Sequence, residues 1–146
     1  MTRDEALLAA NGNQHACAFL MAYVAYCHML DDVVDKDKPV DDLRLVRESL
    51  GLIDELMLNP WVQDNRIVLW PLIVTGFNAW IDANAWERGN DQQKQRDADV
   101  VKGVYHELVW MTARLCGGLD HMRLVCAMHR EYDHDFDKNN MTKEDR

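Results

Sequence analysis

The chain is poor in the residues that punctuate turn-rich folds: its 146 residues include seven glycines and three prolines. That scarcity argues against a β architecture dense in turns and for long helices. No basic patch interrupts a net charge of −9, and an acidic surface repels phosphate backbones, so nucleic acid is excluded as a partner. No P-loop, no G-x-G-x-x-G and no nucleophile–base pair is present. Met1 to Ala10 lacks a basic stretch followed by an apolar core, so no signal peptide is expected. The longest apolar run, Ala16 to Leu30, is 15 residues and contains His28. A bilayer span needs ~20, so the run reads as a buried core helix and no transmembrane segment is expected.

Apolar residues make up 48% of the chain and charged residues 28%, the balance of a globular protein large enough for a real core. A single all-α domain over residues 1–137 is expected, with a polar, frayed tail over 138–146. Cys17, Cys27, Cys116 and Cys126 form no C-x-x-C and sit among apolar residues. They read as reduced, buried thiols of a cytoplasmic protein. The acidity is uneven: residues 31–42 and 131–146 together hold −7 of the net charge. Two acidic clusters on a nearly neutral body need either solvent or cations.

Periodicity and caps predict five to six helices packed around a buried first one. Helix one runs from about Asp4 to Asp35 and is apolar on nearly every face through ACAFLMAYVAYCHML, as a helix surrounded by others is. Pro39 enforces a break. Asp41 is the expected N-cap of the next helix, with Leu43, Val46, Leu50, Ile53 and Met57 as its apolar stripe. Asn59-Pro60 closes it. Pro60 and Pro71 each open a further helix, Pro60–Val68 and Pro71–Trp86, because proline is tolerated in a first turn. A fourth region spans Asp91 to Cys116, Gly117-Gly118 ends it, and a last helix runs from Leu119 to Phe136.

The densest chemistry lies in HMLDDVVDKDKPV, His28 to Val40. At ~100° per residue, Asp31 and Asp35 lie about 40° apart on a helix, and Asp32 about 60° from Asp35. Carboxylates this close raise one another's pKa, bind a cation, or dissolve into solvent at a helix end. Mg²⁺ takes oxygen ligands, often one or two carboxylates together with substrate phosphates. The spacing alone leaves a solvated helix end and a metal site both open.

The stretch FLMAYVAYCHMLDDVVDKDKP resembles the first aspartate-rich motif of class I isoprenoid synthases, in both its squalene/phytoene synthase and its chain-elongating prenyltransferase forms. The resemblance implies Asp31, Asp32 and Asp35 as Mg²⁺ ligands bridging a substrate diphosphate, with an isoprenoid diphosphate as ligand. It implies Phe19, Tyr23 and Tyr26 as the wall of an apolar pocket, although the residues themselves read first as plain core packing. It asks for a second acidic helix, for which Asp133-x-x-x-Asp137 has the squalene/phytoene synthase spacing and Asn78-x-x-x-Asp82 is another candidate. Arg44, Arg47 and Arg130 are the basic residues available to a diphosphate.

Other constellations are thinner. Glu131-x-x-His134 has di-iron spacing but stands alone. An all-α nucleotide pyrophosphohydrolase uses E-x-x-E pairs, absent here, and needs Asp32-x-x-Asp35 as a substitute. His106 and His129 read as hydrogen-bonded histidines near the core. Two functions therefore stand side by side: an isoprenoid-synthase-like bundle binding Mg²⁺ and a diphosphate with an apolar tail, and a non-catalytic helical module that oligomerises.

Overall fold

The first helix is set by a reciprocal cap. Thr2 Oγ1 accepts from the Glu5 amide at 3.2 Å, while Glu5 Oε2 accepts from the Thr2 amide at 2.6 Å. Two of the orphan donors at the helix start are thereby satisfied. The computed structural model describes the backbone of residues 1–36 and 38–144, and side chains within that range up to residue 131.

Where one helix was expected from Asp4 to Asp35, there are two, α1 (Arg3–Ala9) and α2 (Gln14–Asp35). The break has a local cause. Asn11 and Gly12 adopt φ of 49° and 80°, a left-handed pair that Asn and Gly tolerate and a helix cannot contain. Asn13 then caps α2, its Oδ1 accepting from the Ala16 amide at 3.0 Å. α2 is the central element, in contact with α1, α3, α4 and α6. It ends at Lys36, in the left-handed conformation, whose amide returns to the Asp32 carbonyl at 3.0 Å.

Asp41 caps α3 (Asp42–Leu58), accepting from the Arg44 amide at 2.7 Å. Asn59 makes the next corner in two ways. Its Oδ1 accepts from the Trp61 and Val62 amides to start α4, and its Nδ2 donates to the His15 carbonyl at the head of α2, 2.8 Å away. α4 (Pro60–Glu87) is continuous, with Pro71 inside it. The break expected at Pro71 does not occur. Proline forfeits one backbone hydrogen bond, and the burial of Leu69 and Ile73 on either side of it offsets that loss, so the helix continues past Pro71.

α5 (Gln92–Lys102) is capped by Asp91. A 3₁₀ turn, Gly103–Tyr105, separates it from α6 (His106–Glu144), so the single helix expected over Asp91–Cys116 is divided. α6 is itself broken at Gly118, whose φ of 84° and ψ of −176° lie outside the helical region. The expected stop at Gly117-Gly118 is thus present, and the helical backbone beyond it reaches Glu144 rather than Phe136.

The described residues are all-helical, without strands. The core joins Phe19, Leu20 and Tyr23 of α2 to Leu69 of α4 and to Leu108 and Val109 of α6. Of the four free cysteines, Cys17 alone is buried; Cys27, Cys116 and Cys126 are partly covered. α2 is long and apolar enough to cross a membrane by length and composition; within this fold it has other helices around it.

α3 carries the apolar stripe read from its periodicity, and that stripe, Leu43, Val46, Leu50, Ile53 and Met57, is 50–69% exposed. α3 meets the body through its opposite side, by buried Leu52 and half-buried Leu56. Both sides of α3 are apolar, and periodicity locates a stripe without saying which side the body covers.

Candidate functional site

The last turns of α2 present the three aspartates to different surroundings. Asp31 faces α4, where its Oδ1 accepts from Trp80 Nε1 at 2.5 Å. Asp32 turns to α3, where Arg44 Nη2 stands 2.7 Å from its Oδ2. Asp35 is exposed. Neighbouring residues on a helix diverge by ~100°, and here that divergence ties the end of α2 to two helices at once. Among the described residues, no group of three His, Cys, Asp or Glu side chains stands close enough to hold a metal ion.

Asp31 also lies on the wall of a cavity of about 170 Å³, enclosed mainly by Tyr23, Cys27, Phe77, Trp80 and Tyr105. The floor is opened by Gly76: a Cβ there would stand 3.3 Å from Tyr23 Oη. Burial pushes the Cys27 thiol up to about 12, against a hydrogen bond from Tyr23 that acts the other way and with the nearby Asp31 carboxylate adding to the rise. Burial likewise raises the Tyr23 hydroxyl above its ordinary value. Both groups stay protonated at neutral pH. The cavity is therefore an aromatic chamber whose wall carries formal charge at Asp31 and at Lys102, and Lys102 Nζ is held by Glu87 Oε2 at 2.8 Å.

The residues singled out by sequence divide accordingly. Asp31, Asp32 and Asp35 lie in the last turns of α2 with Arg44 beside Asp32, and Tyr23, nearer the middle of α2, shares the cavity wall with Asp31. Phe19 does not join them: it is fully buried against the Tyr23 and Trp61 rings. Tyr26 packs edge-on to Phe77 with ring centroids 6.0 Å apart, behind the cavity wall. Arg47 is exposed and pairs with its neighbour Glu48 at 3.2 Å. Asn78 and Asp82 bond to each other on the exposed side of α4. The side chains of Asp133 and Asp137 lie outside the described residues, as do those of Glu131's partner His134 and the tail.

Sequence reasoning missed Gly76, Phe77, Trp80, Lys102 and Tyr105, which complete the chamber. The G-F-N-A-W run of α4 carried a signal, since residues three and four apart share a helix face. Nothing in the sequence said that this face meets Asp31. His106 and His129 lie in a second, more polar pocket of about 440 Å³. There Trp110 Nε1 donates to His129 Nδ1 at 3.1 Å, and His106 stacks on Trp110.

No family model, no curated protein and no solved structure matches the chain.

Proposed function

We propose that the chain binds a Mg²⁺-bridged diphosphate at the Asp31/Asp32/Asp35 corner, with a compact apolar group entering the adjacent chamber. The observation that carries this reading is the position of Asp31, which is at once a member of the acidic corner and part of the wall of an aromatic cavity. The cavity is smaller than the ~300–1,000 Å³ of sites for drug-sized ligands, so a short allylic chain suits it better than a long one.

The donor set fits Mg²⁺ in one mode. Hard carboxylate oxygens are present, but they do not form a closed cage at rest. Mg²⁺ commonly takes one or two carboxylates and completes its shell with substrate phosphate and water. Asp35, exposed, and Asp31, one turn before it, are the residues that would hold the ion, and the ion would neutralise diphosphate charge. Arg44 is the group most able to respond, since a guanidinium released from Asp32 reaches a phosphate with the same fork geometry. Phe77, Trp80 and Tyr105 exclude water from the apolar end.

The test is a calorimetric titration with Mg²⁺ and a short-chain allylic diphosphate, alongside inorganic pyrophosphate. The reading expects the allylic diphosphate to bind more tightly than pyrophosphate. It also expects Gly76→Val, which fills the chamber, to remove that advantage while leaving pyrophosphate binding in place. Equal affinities for the two ligands contradict the apolar half of the proposal. A second reading, a helical module without catalysis, is favoured by the apolar face that α3 turns away from the body.

A further inference from the structure

We propose that the outer face of the α3–α4 pair is a homodimer interface that takes a second copy of this chain. On α3, Leu43, Val46, Leu50, Ile53 and Met57 are each at least half exposed. On α4, Ile67 is 84% exposed, Ile81 60% and Trp70 57%, with Val74 at 47% between them. Ile53, Met57, Ile67 and Trp70 share the wall of one apolar groove of about 570 Å³. The remaining members continue along the same faces of their own helices at spacings of three, four and seven residues, so each helix extends the groove with an exposed apolar row.

Three features select a second copy as the occupant. The first is size. A fully buried aliphatic side chain corresponds to roughly 60–120 Å² at the usual transfer coefficient. At the exposures given above, nine large side chains present about 320–650 Å² of side-chain surface on each copy. Two copies together would bury about 650–1,300 Å², around the ~1,000 Å² in total that a specific interface clears. The second is shape. The face carries both a groove, between α3 and α4, and beyond it a ridge of exposed side chains, Val74 and Ile81 along α4. A two-fold axis seats each ridge in the other copy's groove, which an isologous interface requires. The third is charge. Arg66 is the charged residue on the groove wall, and most of the net negative charge lies in residues 31–42 and 131–146. At the groove itself, two copies therefore bring no carboxylates together.

The inference stands independently of the diphosphate reading, since the groove and the Asp31 chamber share no residue. Sedimentation equilibrium over about 1–100 µM tests it on the native chain, on Ile53→Glu/Ile67→Glu, and on Val100→Glu as a control at another exposed apolar site. The expected result is a native dimer, a monomeric double variant of unchanged helicity, and a control that remains dimeric. A native chain that stays monomeric to 100 µM overturns the proposal. So does a double variant that still dimerises, which would place the interface on another face.

Discussion

Arg44 Nη2 lies 2.7 Å from Asp32 Oδ2, and this ion pair joins the last turn of α2 to the first turn of α3 across the loop that holds Pro39. Both partners are mostly covered, at 25% and 14% exposure. The pair is stronger than a surface contact and weaker than a fully buried one. Arg44→Met is expected to cost about 1–2 kcal/mol, because it leaves the mostly covered Asp32 carboxylate without its ion-pair partner. Asp32→Asn/Arg44→Met is expected to recover part of that loss. Urea denaturation of the two singles and the double supplies the cycle, and a strictly additive double would show that the pair does not couple.

On the other side of α2, Trp80→Phe removes the donor to Asp31 while keeping an aromatic ring in the chamber. A donor lost to a carboxylate is worth about 1.5–3 kcal/mol. The midpoint of urea unfolding is expected to fall accordingly, and replacing the acceptor instead, by Asp31→Asn, is expected to cost less because the amide oxygen still accepts.

The thiol at the chamber wall predicts alkaline behaviour. Cys27 titrates near 9.0 when unfolded and about 12 in the fold. Above pH 9 the unfolded chain gives up this proton and the native chain keeps it, so the native state binds more protons and stability falls as pH rises. The contribution is fully present below pH 9 and is lost between pH 9 and 12. Tyr23, raised from 10.0, adds to the loss above pH 10. Cys27→Ala is expected to flatten the fall between pH 9 and 10, measured by denaturation at fixed temperature. An unchanged slope there would mean that Cys27 is not held protonated.

The kink in α6 depends on Gly118. At φ 84° and ψ −176°, a Cβ is strained whatever space surrounds it, and Gly118→Ala is expected to lower stability by about 1–3 kcal/mol. Gly117→Ala acts differently, since its Cβ would fall 2.6 Å from the His121 ring. His121 Nε2 bonds to the Leu8 and Ala9 carbonyls at the end of α1, so that variant is expected to loosen α1 first. Hydrogen exchange at the α1 amides distinguishes the two.

The all-helical class, the cap at Asp41, the corner at Asn59-Pro60, the helix start near Asp91 and the break at Gly117-Gly118 were legible because each has a local chemical cause. Asn11-Gly12 was equally legible, but the apolar run after it carried the reading through a turn. Pro71 misled in the other direction, since local propensity favoured a break that packing of the surrounding helix overrode. That the stripe of α3 is exposed could not be read from one chain, because apolar periodicity is the same whether a face meets its own core or a neighbour. At the site, Asp31, Asp32 and Asp35 were visible as a cluster, whereas their separation onto Trp80 and Arg44 depends on contacts 49 residues apart in one case. The chamber is assembled from α2, α4, the end of α5 and the 3₁₀ turn, which no spacing along the chain records.

Whether the acidic corner binds Mg²⁺ and diphosphate together is tested most directly by thermal melts with Mg²⁺, with inorganic pyrophosphate, and with both. The melts are made on the native protein and on Asp31→Asn/Asp35→Asn. A ligand bound only by the folded state raises the melting temperature by mass action. The expected result is a rise of a few degrees that requires both ligands and is absent in the double variant. No shift at millimolar Mg²⁺ and pyrophosphate, or an equal shift in the double variant, would contradict the account.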